Sequence, residues 1–347
     1  MMGHLLKEKE KIVLHSLVES YLQLGRPISS GHIVSLKVIK ASPATIRNIM
    51  AKLERLGYLY QPHTSAGRIP TDKGLRFYVN CLLEKCQPAK DSFLRGGPEI
   101  WPTEGHLDSL FFQASRVLAE HSHNLGFVLS PPLSKLIFHH LRFLLISENR
   151  VLIILTTANN LVFTDIVQTE EKFTQSELDR AAFYINQNFR FRNLVFVRDY
   201  LLRELPRVRW KYEDLLSKML DLLKASTSRI EEKSRIFIQG AANLLEKSQF
   251  FSLEKLRSLF QDFEEKARLV RFLSELINLD RVKVLIGSEV DLLDISDCSL
   301  VVSNYGYENQ VLGTVGIIGP KRIPYGEIIP LVEKVAYRLS LALRQSH

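Results

Sequence analysis

Hydrophobic positions recur at helical spacing over residues 7–24. Ile12, Val13, Leu17, Val18, Tyr21 and Leu22 form the predicted inward face, and Gly25 ends the helix. Ser29 or Ser30 can cap a short second helix running through Leu36. After the turn Lys37–Ala41, Ser42 is a natural N-cap. Pro43 suits the first helical position, where its missing N–H costs nothing. Ile46, Ile49, Met50, Leu53 and Leu56 then make an apolar stripe that Gly57 closes. Tyr58–Gln61 reads as a short strand, Pro62–Gly67 as a polar tip and Arg68–Pro70 as the returning strand. Thr71 caps a further helix through Lys85, with Leu75, Tyr78, Val79, Leu82 and Leu83 apolar.

Gln87–Gly105 carries three Pro and three Gly, a composition that favours irregular, partly mobile chain; Trp101 within it either docks on a domain face or anchors a partner. A helix is predicted over His106–His121. Strands follow at Leu125–Ser130, Ile137–Ser147, Val151–Thr157 and Leu161–Val167, joined by short turns that imply antiparallel hairpins. Residues 174–278 read as mainly helical, at Ser176–Gln187, Leu194–Leu205, Tyr212–Leu223 and Leu253–Leu276, interrupted by a β-like run at Arg235–Gln239. Strands return at Val282–Ile286, Ser299–Asn304 and Gln310–Ile317. An amphipathic helix, Tyr325–Leu343, closes the chain, with Ile328, Ile329, Val332, Val335, Ala336 and Leu339 apolar. Strands on both sides of a helical block predict an α+β domain split by an insertion, preceded by a separate N-terminal unit.

The face of the third helix opposite its stripe holds Ala44, Arg47, Asn48, Ala51, Lys52 and Arg55, with Glu54 the only acid in the helix. Small residues let a helix approach a groove, Asn pairs both edges of adenine, and Arg forks onto guanine. Helix, strand, small polar loop and strand together describe a recognition helix followed by a β-wing, with Arg68 at the base of the loop. The plainer alternative is a helix–hairpin packing unit with a solvated loop.

Charge sharpens this picture. The chain of 347 residues is 46% hydrophobic and 24% charged, with a net charge of +8. Residues 1–85 hold 13 Lys and Arg against 6 Asp and Glu, whereas the remainder holds 33 against 32. The excess sits beside the candidate reading helix, as an anionic partner requires. A membrane surface is the rival anion, but no segment is a basic amphipathic helix with a large apolar face, and no apolar run reaches ~18 residues. The N-terminus lacks the apolar core of a signal peptide. Cys81, Cys86 and Cys298 make neither a disulfide framework nor a zinc spacing, so a reducing cytoplasm is expected. His121, His123, His139 and His140 lack supporting carboxylates or cysteines and read as ordinary histidines rather than metal ligands. Arg190, Arg192, Arg198, Arg203, Arg207, Arg209 and Lys211, interleaved with Phe191, Phe196, Tyr200 and Trp210, suit a packing interface better than a second nucleic-acid surface. Gly313, Gly316 and Gly319 lie along a strand and do not form a dinucleotide fingerprint. No catalytic constellation and no cofactor motif emerges.

The run SPATIRNIMAKLERLGYL followed directly by QPHTSAGRIPTDKG resembles the bacterial heat-inducible transcription repressor family HrcA. The second block, Gln61–Gly74, is the more specific. The resemblance continues collinearly through Gly240–Leu245, Ile286–Glu289 and Ile318–Pro320 with Arg322 and Tyr325, so it spans essentially the whole chain. The family usually has an aromatic where Leu75 stands, and Thr and Met where Lys321 and Ile323 stand.

The resemblance implies a winged helix-turn-helix over residues 1–86, a linker at 87–105, a GAF-like α+β domain in two parts (106–172 and 280–347), and an inserted, mainly helical dimerising domain at 173–279. It implies a cytoplasmic homodimer that binds double-stranded DNA at the inverted-repeat CIRCE operator of chaperone operons such as groE and dnaK, nucleoid-associated when bound. It also implies release on heat shock and modulation by a GroEL-type chaperonin. Ala44, Thr45, Arg47, Asn48 and Ala51 would read or approach bases, and Lys52, Arg55, His63, Ser65 and Arg68 would hold phosphates. Ser42, Thr64 and Gly67 complete the expected DNA-binding set. A winged-helix regulator switched by a small ligand in the GAF-like domain is the alternative; an enzyme or RNA-binding factor has no positive signal.

Overall fold

The computed structural model describes residues 6–64, 66–85, 107–132, 135–158, 162–169, 172–197, 200, 235–246, 282–289, 297–307 and 310–345. The N-terminal unit comprises α1 (Glu8–Leu24), α2 (Ser30–Ser35), α3 (Pro43–Arg55), the two-residue strands β1 (Leu59–Tyr60) and β2 (Ile69–Pro70), and α4 (Asp72–Lys85). Each boundary has a local cause. The Glu10 carboxylate takes the Lys7 N–H at the start of α1, and Gly25, at φ 69°, closes its end. The Ser29 hydroxyl accepts the His32 N–H to start α2. In α3 the Ser42 hydroxyl accepts the Thr45 N–H. At its other end Tyr58 N–H donates to Leu53 and Gly57 N–H to Glu54, a Schellman closure with Gly57 at φ 77°.

Val13, Leu14, Leu17 and Val18 of α1, Ile33 of α2, Ile46, Met50 and Leu53 of α3, and Leu75, Tyr78 and Val79 of α4 fill one core. The inward face of α1 is rotated from the expected one. Leu14 is fully buried and Ile12 is exposed, because the seam that meets α3 and α4 runs through positions 13, 14, 17 and 18. Ile49 and Leu56 pack at the edge of the core.

The second unit is built on a five-stranded antiparallel sheet in the order β7 (Ile236–Gln239), β3 (Leu125–Leu129), β10 (Gln310–Pro320), β9 (Cys298–Tyr307), β8 (Lys283–Ile286). Helices α5 (Leu107–Ser122) and α8 (Tyr325–Gln345) pack on it and on each other. The apolar stripe of α8 is buried as its spacing predicts. Helix α7 (Ala241–Glu246) follows β7.

A third unit interrupts this sheet. β4 (Phe138–Ser147), β5 (Arg150–Thr157) and β6 (Val162–Gln168) form their own antiparallel sheet, covered on one face by α6 (Gln175–Phe189). A register shift between Phe138 and His140 moves the buried positions of β4 to Phe138, Leu141 and Phe143, which meet Leu178, Ala181, Ile185 and Phe189 of α6. Side-chain amides of α6 satisfy the free edge of β4. Asn186 accepts from Leu141 N–H and donates to its carbonyl, and Gln175 does the same for Leu145 N–H and the Phe143 carbonyl.

The expected division into 106–172 and 173–279 therefore does not follow the sheets. Strands β4–β6 belong with α6, whereas β7 and α7, expected within the inserted domain, sit beside β3 in the five-stranded sheet. Hairpin spacing shows that strands pair with their neighbours but not which sheet they join. The helices expected at 212–223 and 253–276, most of 194–205, the segment 87–105 with Trp101, and Cys86 lie outside the described residues.

Candidate nucleic-acid interface

The apolar stripe of α3 is buried in the N-terminal core, which turns its opposite side outward. Ala44, Thr45, Arg47, Asn48 and Arg55 are all exposed, and Ala51 and Lys52 are half-buried. Arg47 and Arg55 enter no ion pair with any described residue, so their guanidinium groups are free to meet an incoming anion. Thr45 shares a hydrogen bond with Ser42 at 2.9 Å, so Ser42 serves as the cap that aims the first turn.

Beside α3, β1 and β2 pair with Leu59 opposite Pro70 and Tyr60 opposite Ile69. A reciprocal pair of backbone hydrogen bonds between Ile28 and Arg68, 2.9 and 2.8 Å, adds the chain before α2 as a third edge. Gly67 is what allows this approach, because a Cβ there would collide with the Ile28 backbone. Its role is thus in packing at the base of the loop. His63 and Thr64 are exposed at the tip, and Ser65 lies outside the described residues. The Gln61 amide donates to the Thr64 and Ala66 carbonyls at 2.8 and 2.9 Å and holds the tip's shape.

Two expected phosphate-holding cations are already engaged. Lys52 Nζ lies 2.7 Å from the buried Glu10 carboxylate. Arg68 Nε donates to Glu54 Oε2 at 2.8 Å. Both pairs lower the positive field these cations offer outward. Hydrogen bonding by Lys52 above all, with the Lys7 N–H, holds the Glu10 carboxyl below its ordinary range against the opposing effect of burial. The sequence marks Glu54 only as the lone acid of α3, gives Glu10 no role, and marks Gln61 only as the end of a short strand. Their partners lie 14, 42 and 3 to 5 residues away, and only the Gln61 contact is local enough for spacing to suggest it.

Where it is described, the Arg-aromatic segment beyond α6 makes contacts mainly among its own residues and leaves Phe191, Phe196 and Tyr200 exposed. Arg190 lies over the Phe191 ring and Arg192 over Phe196, while Tyr200 meets Phe189 and Phe196. Arg190 also reaches His139 Nε2 at 3.0 Å. Among the described residues, no group of three His, Cys, Asp or Glu is placed to hold a metal. No helix among them is long and apolar enough to cross a membrane.

The chain is similar over its length to known proteins. The family profile described as "HrcA protein C terminal domain" matches residues 108–329. The heat-inducible transcription repressor HrcA of Geobacter sulfurreducens is 34% identical over 338 residues, covering 97% of this chain and 98% of that protein. The chain belongs to the HrcA family. The HrcA of Xylella fastidiosa (strain M23) is 35% identical over 339 residues, covering 97% and 96% of the two chains. A crystal structure titled only as that of a hypothetical protein has 26% identity, covers 99% of this chain and all of its own, and superposes with a TM-score of 0.70. HrcA proteins are named as transcription repressors induced by heat, a non-enzymatic class, and this chain is a transcription repressor of that kind, which implies DNA binding.

Proposed function

We propose that this HrcA-family chain acts as a cytoplasmic homodimer, nucleoid-associated when bound, and represses chaperone operons such as groE and dnaK by binding the inverted-repeat CIRCE element. In this reading residues 1–86 are a winged helix-turn-helix and α3 enters the major groove. The polar tip at His63 and Thr64 follows the adjacent backbone. The single observation that carries the reading is the outward face of α3, with Ala44, Thr45, Arg47, Asn48 and Arg55 exposed on a helix whose other face is locked into the core. The five-stranded sheet backed by α5 and α8 supports a GAF-like second domain, and the separate β4–β6 sheet with α6 supports an insertion into it. Two-fold symmetry of a dimer matches the symmetry of an inverted repeat.

On heating, the repressor releases its operator, and a GroEL-type chaperonin modulates how much active repressor is present. The deciding experiment is fluorescence anisotropy of a labelled CIRCE duplex against a scrambled duplex, at several salt concentrations, with and without chaperonin. Expected are preference for the inverted repeat, a dimer-per-duplex endpoint and affinity that falls steeply with salt. Equal affinity for both duplexes under all conditions would overturn the operator assignment.

A further inference from the structure

The N-terminal unit is docked on the second unit through two of its helices, and the contacts are charged and specific. At the start of α4, Lys321 Nζ lies 2.7 Å from Asp72 Oδ1, and Asp72 also faces the Ser288 N–H at 3.4 Å. One turn on, Arg76 pairs with Glu289 through Nε at 2.8 Å and through Nη2, and also donates to the Val284 carbonyl at 2.7 Å. Glu289 is itself held by the Ile286 N–H at 3.0 Å. At the end of α1, Arg322 donates to the Leu22 and Gln23 carbonyls at 3.1 and 3.2 Å, two of the last-turn acceptors that a helix leaves without intrahelical partners.

Both sides are shaped for these contacts. Gly25 and Gly287 sit at φ 69° and 56°, and a Cβ on either would strike the Arg322 guanidinium or the Asp72 carboxylate. The Lys321 backbone is fixed from behind: its N–H donates to Asp297, and its carbonyl accepts from the buried Tyr325 hydroxyl at 2.8 Å. Tyr325 in turn shares a 2.6 Å hydrogen bond with the buried Ser299 hydroxyl.

We infer that Asp72, Arg76, Glu289, Lys321 and Arg322 form a clasp that sets the orientation of α3 relative to the second unit, and so sets the half-site spacing that a dimer accepts. The second clause rests on the repressor reading above. One contact would allow the N-terminal unit to pivot. Anchors on two different helices, both packed in the core that seats α3, remove that freedom. The side chains of Asp72, Arg76, Glu289 and Lys321 are 26–37% exposed, so salt screens them, and their loss leaves both hydrophobic cores intact. These are positioning residues that lie away from the proposed DNA-reading face.

The test uses the full chain and three variants: Arg322→Ala, Glu289→Gln, and the charge exchange Asp72→Lys with Lys321→Asp. Two readouts are taken. The first is the distance distribution between spin labels carried by non-natural amino acids at Glu19 and Glu327. The second is affinity for a single half-site and for inverted repeats whose spacing is varied base pair by base pair.

Expected is a narrow distance distribution in the parent chain that broadens in Arg322→Ala and Glu289→Gln. Half-site affinity should stay the same, while affinity at the optimal spacing falls about tenfold and the spacing profile flattens, because a loosely held module has a lower effective concentration at the second site. The charge exchange, which keeps an ion pair at the Asp72–Lys321 position, should retain the narrow distribution and the sharp profile of the parent chain. Unchanged distances in the single variants would overturn the clasp whatever the DNA does. Broadened distances with a parent-like spacing profile would overturn its role in spacing. If the parent itself fails to prefer the inverted repeat while the distances respond as expected, the operator reading and the spacing role fall and the clasp stands.

Discussion

Arg68 donates to Glu54 across 2.8 Å and ties the base of the hairpin to the last turn of α3, so the two parts of the candidate DNA surface move as one piece. The same pair withholds the Arg68 charge from a phosphate.

Replacing Glu54 by Gln frees that charge and removes an anion from the face. Affinity for all duplexes should rise, and the dependence of log K on log salt should steepen by about 0.9, one added phosphate contact. Anisotropy titrations at four salt concentrations measure the slope. An unchanged slope would show that Arg68 stays out of phosphate reach.

Asn48 is exposed on α3 two residues beyond the buried Ile46, and in the proposed reading it meets a base edge. Asn48→Ala should cost ~1–3 kcal/mol against one base pair and relax specificity there, leaving the salt slope alone. A panel of operators substituted one base pair at a time locates the position. Loss spread evenly over every operator would contradict base reading.

Two glycines should respond with opposite sign. A Cβ at Gly67 meets the Ile28 backbone, whereas a Cβ at Gly31 in α2 has only the Ser29 hydroxyl nearby, at 3.9 Å. Gly67→Ala should destabilise the N-terminal unit by about 1–3 kcal/mol through overpacking. Gly31→Ala should stabilise it by roughly 0.5–1 kcal/mol through helix propensity. Urea unfolding followed by circular dichroism compares them.

Glu10 gives the fold an acid limb. Its carboxyl is held below the ordinary 4.5, chiefly by the hydrogen bond from Lys52. A folded-state value below the unfolded one contributes stability that is fully present above pH 4.5 and is lost as pH falls through the depressed value. Glu10→Gln should melt below the parent at neutral pH, and the gap should close as pH drops under 4.5. A gap that stays constant down to acid pH would show that the charge is not what matters.

Most of the secondary structure is legible in the sequence because its causes are local. Ser42, Pro43 and Gly57 mark α3 to the residue, and the stripe Ile46, Met50, Leu53 tells which face is lost to the core. The strands at 125–130, 151–157 and 235–239 appear close to where alternation and turns place them. Pairing across long separations was not legible. β7 joins β3 across more than a hundred residues, and nothing in either strand names the other. The candidate site divides the same way. Exposure of Ala44, Thr45, Arg47 and Asn48 follows from helix periodicity, but the capture of Lys52 by Glu10 and of Arg68 by Glu54 does not.

By itself the sequence determined the caps, the periodic faces, the concentration of positive charge near α3 and the membership in a repressor family, since each depends on neighbours within a few turns or on the order of residues. The tertiary structure alone decided which strands share a sheet, which cations are already paired, and how Arg322, Lys321 and Glu289 grip α1 and α4. Those relationships join residues 14 to 300 positions apart, and they exist only once the cores have packed and brought the side chains within hydrogen-bonding distance.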